Sequence, residues 1–330
     1  MSNEANSNSY EHEHQPAASQ SFAEEGFVRI GGNSQWLTLR GADRSNPALL
    51  ILPGPGAAFS RLPLLFAPWE RRFTLVQWDQ PGAGATFERN GPEPGALGIE
   101  RLVRDGIEVV EHVCRRLGTP KIALLCFSGG TIVGLRMVKE RPDLISAYVG
   151  SGQIVDWARQ DALSYALLLE RAEASGDTAA GAELTTIGPP PYADTATDAI
   201  KSRYAGAMTS AESAALAALD SAVLAELSAV PMEQLRARAT AVYDALRPEI
   251  VAFDGRRLGR TFGVPMFFLQ GENDLFTVTS EVRAYAQWIE APMKRFVELE
   301  GAGHSTFLLS SELLRLLDLH VRPVVAVPPA

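Results

Sequence analysis

The chain has 330 residues, of which 46% are apolar and 21% charged, and a formal net charge of -9. That balance excludes disorder over most of the chain and supplies a core for one large α/β domain with an insertion, or for two domains. The acidity argues against nucleic acid as a partner, since phosphate binding asks for a basic surface, and no apolar run reaches the roughly 18 residues of a membrane-spanning helix.

Met1-Ser2-Asn3-Glu4 has neither a basic region nor an apolar stretch, so no signal peptide is expected. Cys114 and Cys126, the only cysteines, cannot make a disulfide framework and suit a reducing cytoplasm. Residues 1–22 are rich in Asn, Ser, Glu, Gln and His and read as a flexible tail. Within it His12 and His14 stand two apart, but nothing nearby completes a metal-ligand set.

Phe27–Ile30 and Trp36–Leu39 predict an antiparallel pair joined through Gly31-Gly32-Asn33. Ala48–Leu52 and Phe73–Trp78 are nearly continuous apolar runs, as in strands buried on both faces. Glu100–Leu117 carries Leu102, Ile107, Val110, Val113 and Leu117 at helical spacing, and Gly118 stops it. Strand Ile122–Phe127, helix Thr131–Glu140 and strand Ile145–Val149 follow, so strands alternate with helices as in a parallel sheet covered by helices. From 155 to 258 the chain turns Ala-, Leu- and Glu-rich and helical, interrupted by Gly188-Pro189-Pro190-Pro191. Its Ala-rich stretch 211–229 reads as one packed helix. Sheet character returns at Met266–Leu269 and Phe296–Leu299, and a helix over Thr306–His320 closes the chain. The expected organisation is an α/β core of residues 23–154 and 259–330, with a helical cap of residues 155–258 inserted into it.

Several chemistries are poor fits. Gly-x-Gly occurs four times, starting at Gly54, Gly82, Gly150 and Gly301, and never reaches the third glycine of a dinucleotide fingerprint. There is no phosphate-binding Gly-x-x-x-x-Gly-Lys loop, no His-Glu-x-x-His and no Cys-x-x-Cys.

The positive signal lies where strand Ile122–Phe127 runs into Ser128-Gly129-Gly130 and a helix begins. A sharp strand-to-helix bend lifts a serine hydroxyl above the sheet edge, and the next amide, at a helix N-terminus, can hold a developing oxyanion. Cys126-Phe127-Ser128-Gly129-Gly130 is a Gly-x-Ser-x-Gly elbow with cysteine for the first glycine, which crowds the turn. A serine that merely caps the helix is the alternative. Such a hydroxyl needs a base. Of histidines 12, 14, 112, 304 and 320, the first two lie in the tail, and His112 and His320 fall within helical runs. His304 alone follows a late strand in a glycine loop, Gly301-Ala302-Gly303-His304. The imidazole needs an acid in turn. The loop Gln270-Gly271-Glu272-Asn273-Asp274 offers Asp274, with Glu272 second, unless these are only turn formers. Ser128, Asp274 and His304 follow the chain order of α/β-hydrolase triads. The glycine-rich loop Leu52–Gly56 is a candidate second source of oxyanion donors.

These segments resemble an α/β-hydrolase of the prolyl aminopeptidase (proline iminopeptidase) branch. Leu52–Gly56 stands where that family has His-Gly-Gly-Pro-Gly. Trp78-Asp79-Gln80-Pro81-Gly82-Ala83-Gly84 is similar to its Trp-Asp-Gln-Arg-Gly-x-Gly, and Cys126–Gly130 stands for its Gly-Gly-Ser-Trp-Gly. Gly271–Asp274 and Gly301–His304 match its acid and histidine loops. The resemblance covers residues 25–155 and 260–320. It implies an α/β-hydrolase fold, a Ser128–His304–Asp274 triad, Gly54 and Gly129 as oxyanion donors, and no cofactor; the missing ligand motifs lead us to expect no metal. Asp79 is expected to hold its own loop.

The chain departs from the family at Leu52-Pro53, Cys126 and Gly129. Gly150-Ser151-Gly152-Gln153 and Ile187–Tyr192 look more like a broader set of α/β-hydrolases. Peptidase members grip the substrate amine with cap carboxylates. Glu170, Glu173, Glu183, Glu212 and Glu226 lie in the cap here, but none falls in a matching motif, and solvated helix faces account for most of them. Three readings follow: an aminopeptidase acting on small peptides, a carboxylesterase or amidase of a small metabolite, and a hydrolase fold kept as a binding protein. Epoxide hydrolase and dehalogenase chemistry is disfavoured, because both use an aspartate where Ser128 stands.

Overall fold

The computed structural model describes residues 21–91, 97–230 and 232–326. The His12/His14 pair and nearly all of the expected tail lie outside these residues. Eight strands form one sheet: β1 (Phe22–Ile30), β2 (Asn33–Gly41), β3 (Ala48–Leu52), β4 (Thr74–Asp79), β5 (Ile122–Phe127), β6 (Ile145–Ser151), β7 (Met266–Gly271) and β8 (Lys294–Leu299). Their order is β1-β2-β4-β3-β5-β6-β7-β8. β2 is antiparallel to its neighbours β1 and β4, and every other pair is parallel. This is the α/β-hydrolase arrangement that the motifs imply. β1 and β2 extend beyond the apolar runs that predict them, and Phe22, placed in the tail by composition, is already paired with Gly41.

The central strands β3 and β5 read as unbroken apolar runs because both sheet faces are covered. Period-2 alternation then divides each strand between two cores. Leu50, Leu52, Leu124, Cys126, Met266 and Phe268 pack on one face, with Leu102, Val109 and Val113 of helix Ile99–Leu117 and with helix Gly130–Glu140. Leu49, Ile51, Leu125, Phe127, Phe267 and Leu269 pack on the other, against Trp69 and the C-terminal Leu313, Leu316 and Val321. Gly118 ends the first helix in the left-handed region at φ 68°.

Between β6 and β7 the described residues form six α-helices, Trp157–Ser175, Thr178–Ile187, Thr195–Ala205, Ser210–Ala217, Ser221–Ala229 and Met232–Val251, and one tighter turn of helix, Gly255–Leu258. Four of the α-helices begin on an aspartate, Asp156, Asp177, Asp194 or Asp220, whose carboxylate accepts a first-turn amide; Thr209 and Glu212 make a reciprocal capping box for a fifth. The Ala-rich stretch is therefore two helices rather than one. Asp220 accepts the amides of Ala222 and Val223, and that local cap interrupts a run that alanine propensity alone would continue. The two are also thinly packed, burying Glu212 and Val223.

Helix Thr279–Trp288, between β7 and β8, was not expected from the sequence. It is short and buries mainly Val282, Tyr285 and Ala286. The closing helical stretch is segmented: Thr306–Leu309 is wound tightly, Ser310–Leu316 is α-helical and Leu317–Val321 is wound wide. Among the described residues no helix is long and apolar enough to cross a membrane.

Candidate active site

The central parallel strands deliver their loops to one end of the sheet. There Ser128 occupies the turn after β5 with φ 50°, the one non-glycine residue in the left-handed region among those described. Such a conformation costs about 1–2 kcal/mol, and here neighbouring bonds hold it. Its N–H donates to the Ser151 carbonyl (3.0 Å), and its own carbonyl accepts from the Thr131 amide (2.9 Å) and hydroxyl (2.5 Å). The Ser128 hydroxyl does not cap the helix; its Oγ lies 3.0 Å from Nε2 of His304.

Small residues make room for this bend. A methyl group at Gly130 would overlap the Leu52 carbonyl oxygen, so only glycine lets the loop after β3 pass so closely over the helix start. Gly152 has φ +59°, and a methyl there would stand 2.8 Å from Cε1 of His304.

His304 bonds through Nδ1 to Oδ2 of Asp274 at 2.9 Å. Ser128, His304 and Asp274, 176 and 30 residues apart along the chain, thus form one hydrogen-bonded series. The Asp274 carboxylate is wholly buried and fully satisfied. Oδ1 accepts the amides of Phe276 (2.8 Å) and Thr277 (2.9 Å), and Oδ2 accepts the Thr277 hydroxyl (2.6 Å) and Gln270 Nε2 (2.8 Å) as well as the imidazole. Burial alone would push the Asp274 carboxyl up, but the His304 charge and these hydrogen bonds hold it below its ordinary value. Burial alone would push His304 down, but Asp274, and after it the charge of Glu212, carry it above its ordinary value. Glu272, the second candidate acid, is exposed and accepts the Gly301 amide at 2.8 Å, so it holds the histidine loop from outside.

Phe276 was not singled out from the sequence. Its ring stacks on the imidazole, with centroids 4.7 Å apart and planes at 28°. Thr277 and Gln270 were also missed as partners of the acid, although Asp-x-x-Thr at the end of a buried strand is a local signal for such a turn.

The loop after β3 faces the elbow. Pro53 and Pro55 have no N–H, so between them only Gly54 has an amide to donate. The N–H groups of Gly54 and Gly129 pair with no acceptor among the described residues, and the two backbones are adjacent. Gln80 fixes this loop by donating to the Pro53 carbonyl at 3.1 Å. Asp79 holds its own loop, accepting the Ser60 hydroxyl (2.5 Å) and the Ala85 amide (2.8 Å). His112 and His320 stand elsewhere, His112 in a groove against β1 and His320 3.2 Å from an Arg295 nitrogen.

A cavity of about 330 Å³ opens on Ser128, Gly54 and Gly129. Its other walls include Ile154, Trp157, Tyr243, Ile250 and Phe276, and Asp198 is the one carboxylate among the described lining residues. Asp198 is buried and Oδ2 accepts the Tyr243 hydroxyl at 3.0 Å. Desolvation raises its carboxyl, more than Lys201, Tyr243 and Arg247 lower it. The glutamates noted from the sequence do not line this cavity. Glu170 and Glu173 are exposed, Glu183 pairs with Arg203, and Glu226 accepts the Leu64 amide. Glu212 is the exception to a solvated reading, being 1% exposed. Among the described residues no group of three or more His, Cys, Asp or Glu could hold a metal ion.

Residues 48–309 match the family model described as serine aminopeptidase, S33. A probable aminopeptidase of Bacillus subtilis (strain 168), YbaC, is 26% identical over 311 residues, 89% of this chain and 95% of its own length. Among solved structures, a proline iminopeptidase-related protein of Thermus thermophilus superposes with a TM-score of 0.63 at 19% identity, covering 93% of this chain and all of its own. The 2-hydroxy-6-oxo-6-phenylhexa-2,4-dienoate hydrolase of Rhodococcus sp. strain RHA1 gives a TM-score of 0.55, also at 19% identity, covering 92% and 100%. At such identities the solved structures speak for the fold alone. With the family model spanning most of the chain, the protein belongs to the serine aminopeptidase S33 family of α/β-hydrolases.

Proposed function

We propose that the protein is a serine hydrolase that works through an acyl-enzyme and removes an N-terminal residue from small peptides. The observation that carries the reading is the hydrogen-bonded series Ser128–His304–Asp274 at a cavity whose one described carboxylate is Asp198.

In this mechanism Ser128 Oγ attacks the acyl carbon while His304 Nε2 takes its proton. Asp274 fixes the tautomer in which Nδ1 carries hydrogen and stabilises the imidazolium. The Gly54 and Gly129 amides hold the tetrahedral oxyanion; loss of one such donor costs about 3 kcal/mol. His304 then protonates the leaving amine, and water, activated by the same imidazole, resolves the acyl-enzyme. The helices between β6 and β7 act as a cap over the cavity, and Asp198 on one of them takes the substrate ammonium. A buried carboxylate that accepts one hydroxyl on Oδ2 gains a counter-ion when a cationic amine enters. The aromatic faces of Trp157, Tyr243 and Phe276 suit both the apolar side chain and the cation.

Prolyl and alanyl p-nitroanilides, assayed beside short p-nitrophenyl esters, test the reading. We expect turnover of the anilides, loss of all activity and of fluorophosphonate labelling in Ser128→Ala, and loss of anilide turnover alone in Asp198→Asn. Ester-only activity indifferent to Asp198 would favour the esterase or amidase reading, and absence of labelling would leave a binding protein.

A further inference from the structure

Glu212 is buried at 1% exposure at the start of helix Ser210–Ala217. Oε2 accepts the Thr209 amide (2.8 Å) and hydroxyl (3.2 Å), whereas buried Oε1 has no hydrogen-bond partner among the described residues. A capping box accounts for the first oxygen and leaves the second unexplained, because an unpartnered carboxylate oxygen away from water is costly. The carboxylate is pressed against Gly303, the residue before His304; a methyl there would stand 2.9 Å from Oε2 and 3.3 Å from Oε1. Glycine at 303 is what lets a charge from the helical segment reach the back of the histidine loop.

We propose that Glu212 is a positioning residue that stabilises the positive charge of His304 during turnover, so that the imidazolium is supported by a second carboxylate from the segment between β6 and β7. The proposal rests on His304 being the general base. The other groups that bear on the imidazole have assigned places. Asp274 bonds Nδ1, Ser128 faces Nε2, and Glu272 is turned outward to the Gly301 amide. Lys201 lies 5.8 Å from the centroid of Phe276, the ring stacked on the imidazole, and is already paired with Asp161. The Glu212 charge raises His304 in the same direction as Asp274, against the effect of burial. It touches neither the substrate cavity nor the Ser128 hydroxyl, so it acts through the histidine.

The test is Glu212→Gln, which keeps an oxygen for the Thr209 amide and removes the charge. The His304 ring resonance, assigned by its loss in His304→Asn, is titrated by NMR in wild type and variant. We expect the midpoint to fall by about half a pH unit or more. The acid limb of kcat/KM should move down with it, kcat should drop about threefold or more, and KM should hold. An unmoved midpoint overturns the proposal, even if the variant loses activity or melts earlier, because a purely structural cap would not set the titration. Should E212Q fail to fold, Glu212→Asp draws the carboxylate back from Gly303, and the same fall, smaller, is required. The titration needs no turnover, so its failure is distinct from failure of the hydrolase reading, which would show as absence of turnover and of fluorophosphonate labelling in the wild type.

Discussion

Gly134 lies against Cys126: a methyl group at 134 would overlap the Cys126 sulfur. Cysteine replaces the small first residue of the elbow, and the helix that follows makes room by omitting a side chain opposite. Gly134→Ala should therefore destabilise the protein by about 1–3 kcal/mol through overpacking, although alanine for glycine inside a helix ordinarily gains about 1 kcal/mol. Urea unfolding of Gly134→Ala, Cys126→Ala and the double variant checks this, and the double variant should recover most of the loss. Additive effects would disprove the compensation. Burial also keeps the Cys126 thiol well above its ordinary value, so native protein should resist alkylation there.

Gly152→Ala should inactivate more than it unfolds. The left-handed backbone costs about 1–2 kcal/mol for any side chain, but the new methyl would press on His304 Cε1 at 2.8 Å and Nδ1 at 3.2 Å. Misplacing a base by such an amount costs about 100-fold in kcat. Steady-state kinetics with a thermal melt separates the two effects; unchanged kcat would mean that the imidazole does not act from this position.

The raised His304 and lowered Asp274 fix the sign of the pH response. With His304 as the proposed base, activity needs it neutral, so the acid limb of kcat/KM should lie above the ordinary histidine midpoint of about 6.5. Asp274→Asn leaves burial to dominate. The limb should fall below that midpoint, and kcat should drop about 10⁴-fold as the tautomer is lost. The pair also acts on stability. The His304 contribution is full below its unfolded value and is lost as pH rises through its raised folded value. The Asp274 contribution is full above its unfolded value and is lost as pH falls through its lowered one. Wild type should therefore exceed Asp274→Asn in melting temperature most clearly between about pH 4 and 6.5.

Lys201 and Asp161 form a buried ion pair between two helices, with side chains 2% and 7% exposed. Lys201→Met strands a buried charge and should cost about 3–5 kcal/mol, whereas removing both charges in Asp161→Leu/Lys201→Met should cost far less. Lys201 also lowers Asp198, so on the proposed role of Asp198 the single variant should weaken amine binding and raise KM for anilides. Denaturant midpoints and KM values on both variants check these effects.

The order of residues was enough to specify the sheet and the loops at its end. Strands buried on both faces are apolar without interruption where nothing polar is anchored in them, as in β3 and β5, and a sharp turn after them must be built of small residues. Ser128, Asp274 and His304 were legible because each sits in the turn or loop that follows a strand, where local turn chemistry and chain order carry the signal. What surrounds them depended on how the chain packs. Asp198 and Glu212 sit in helical stretches whose polar residues look alike in one dimension; burial against Tyr243 or Gly303 separates them from solvated neighbours such as Glu170 and Glu173. Phe276 reads as an ordinary apolar loop residue until it stacks on His304, and Gly134 as a helix weakness until Cys126 lies beneath it. Local propensity sets which elements form, but desolvation and contact depend on residues far away in the chain, and those act only once the fold has closed.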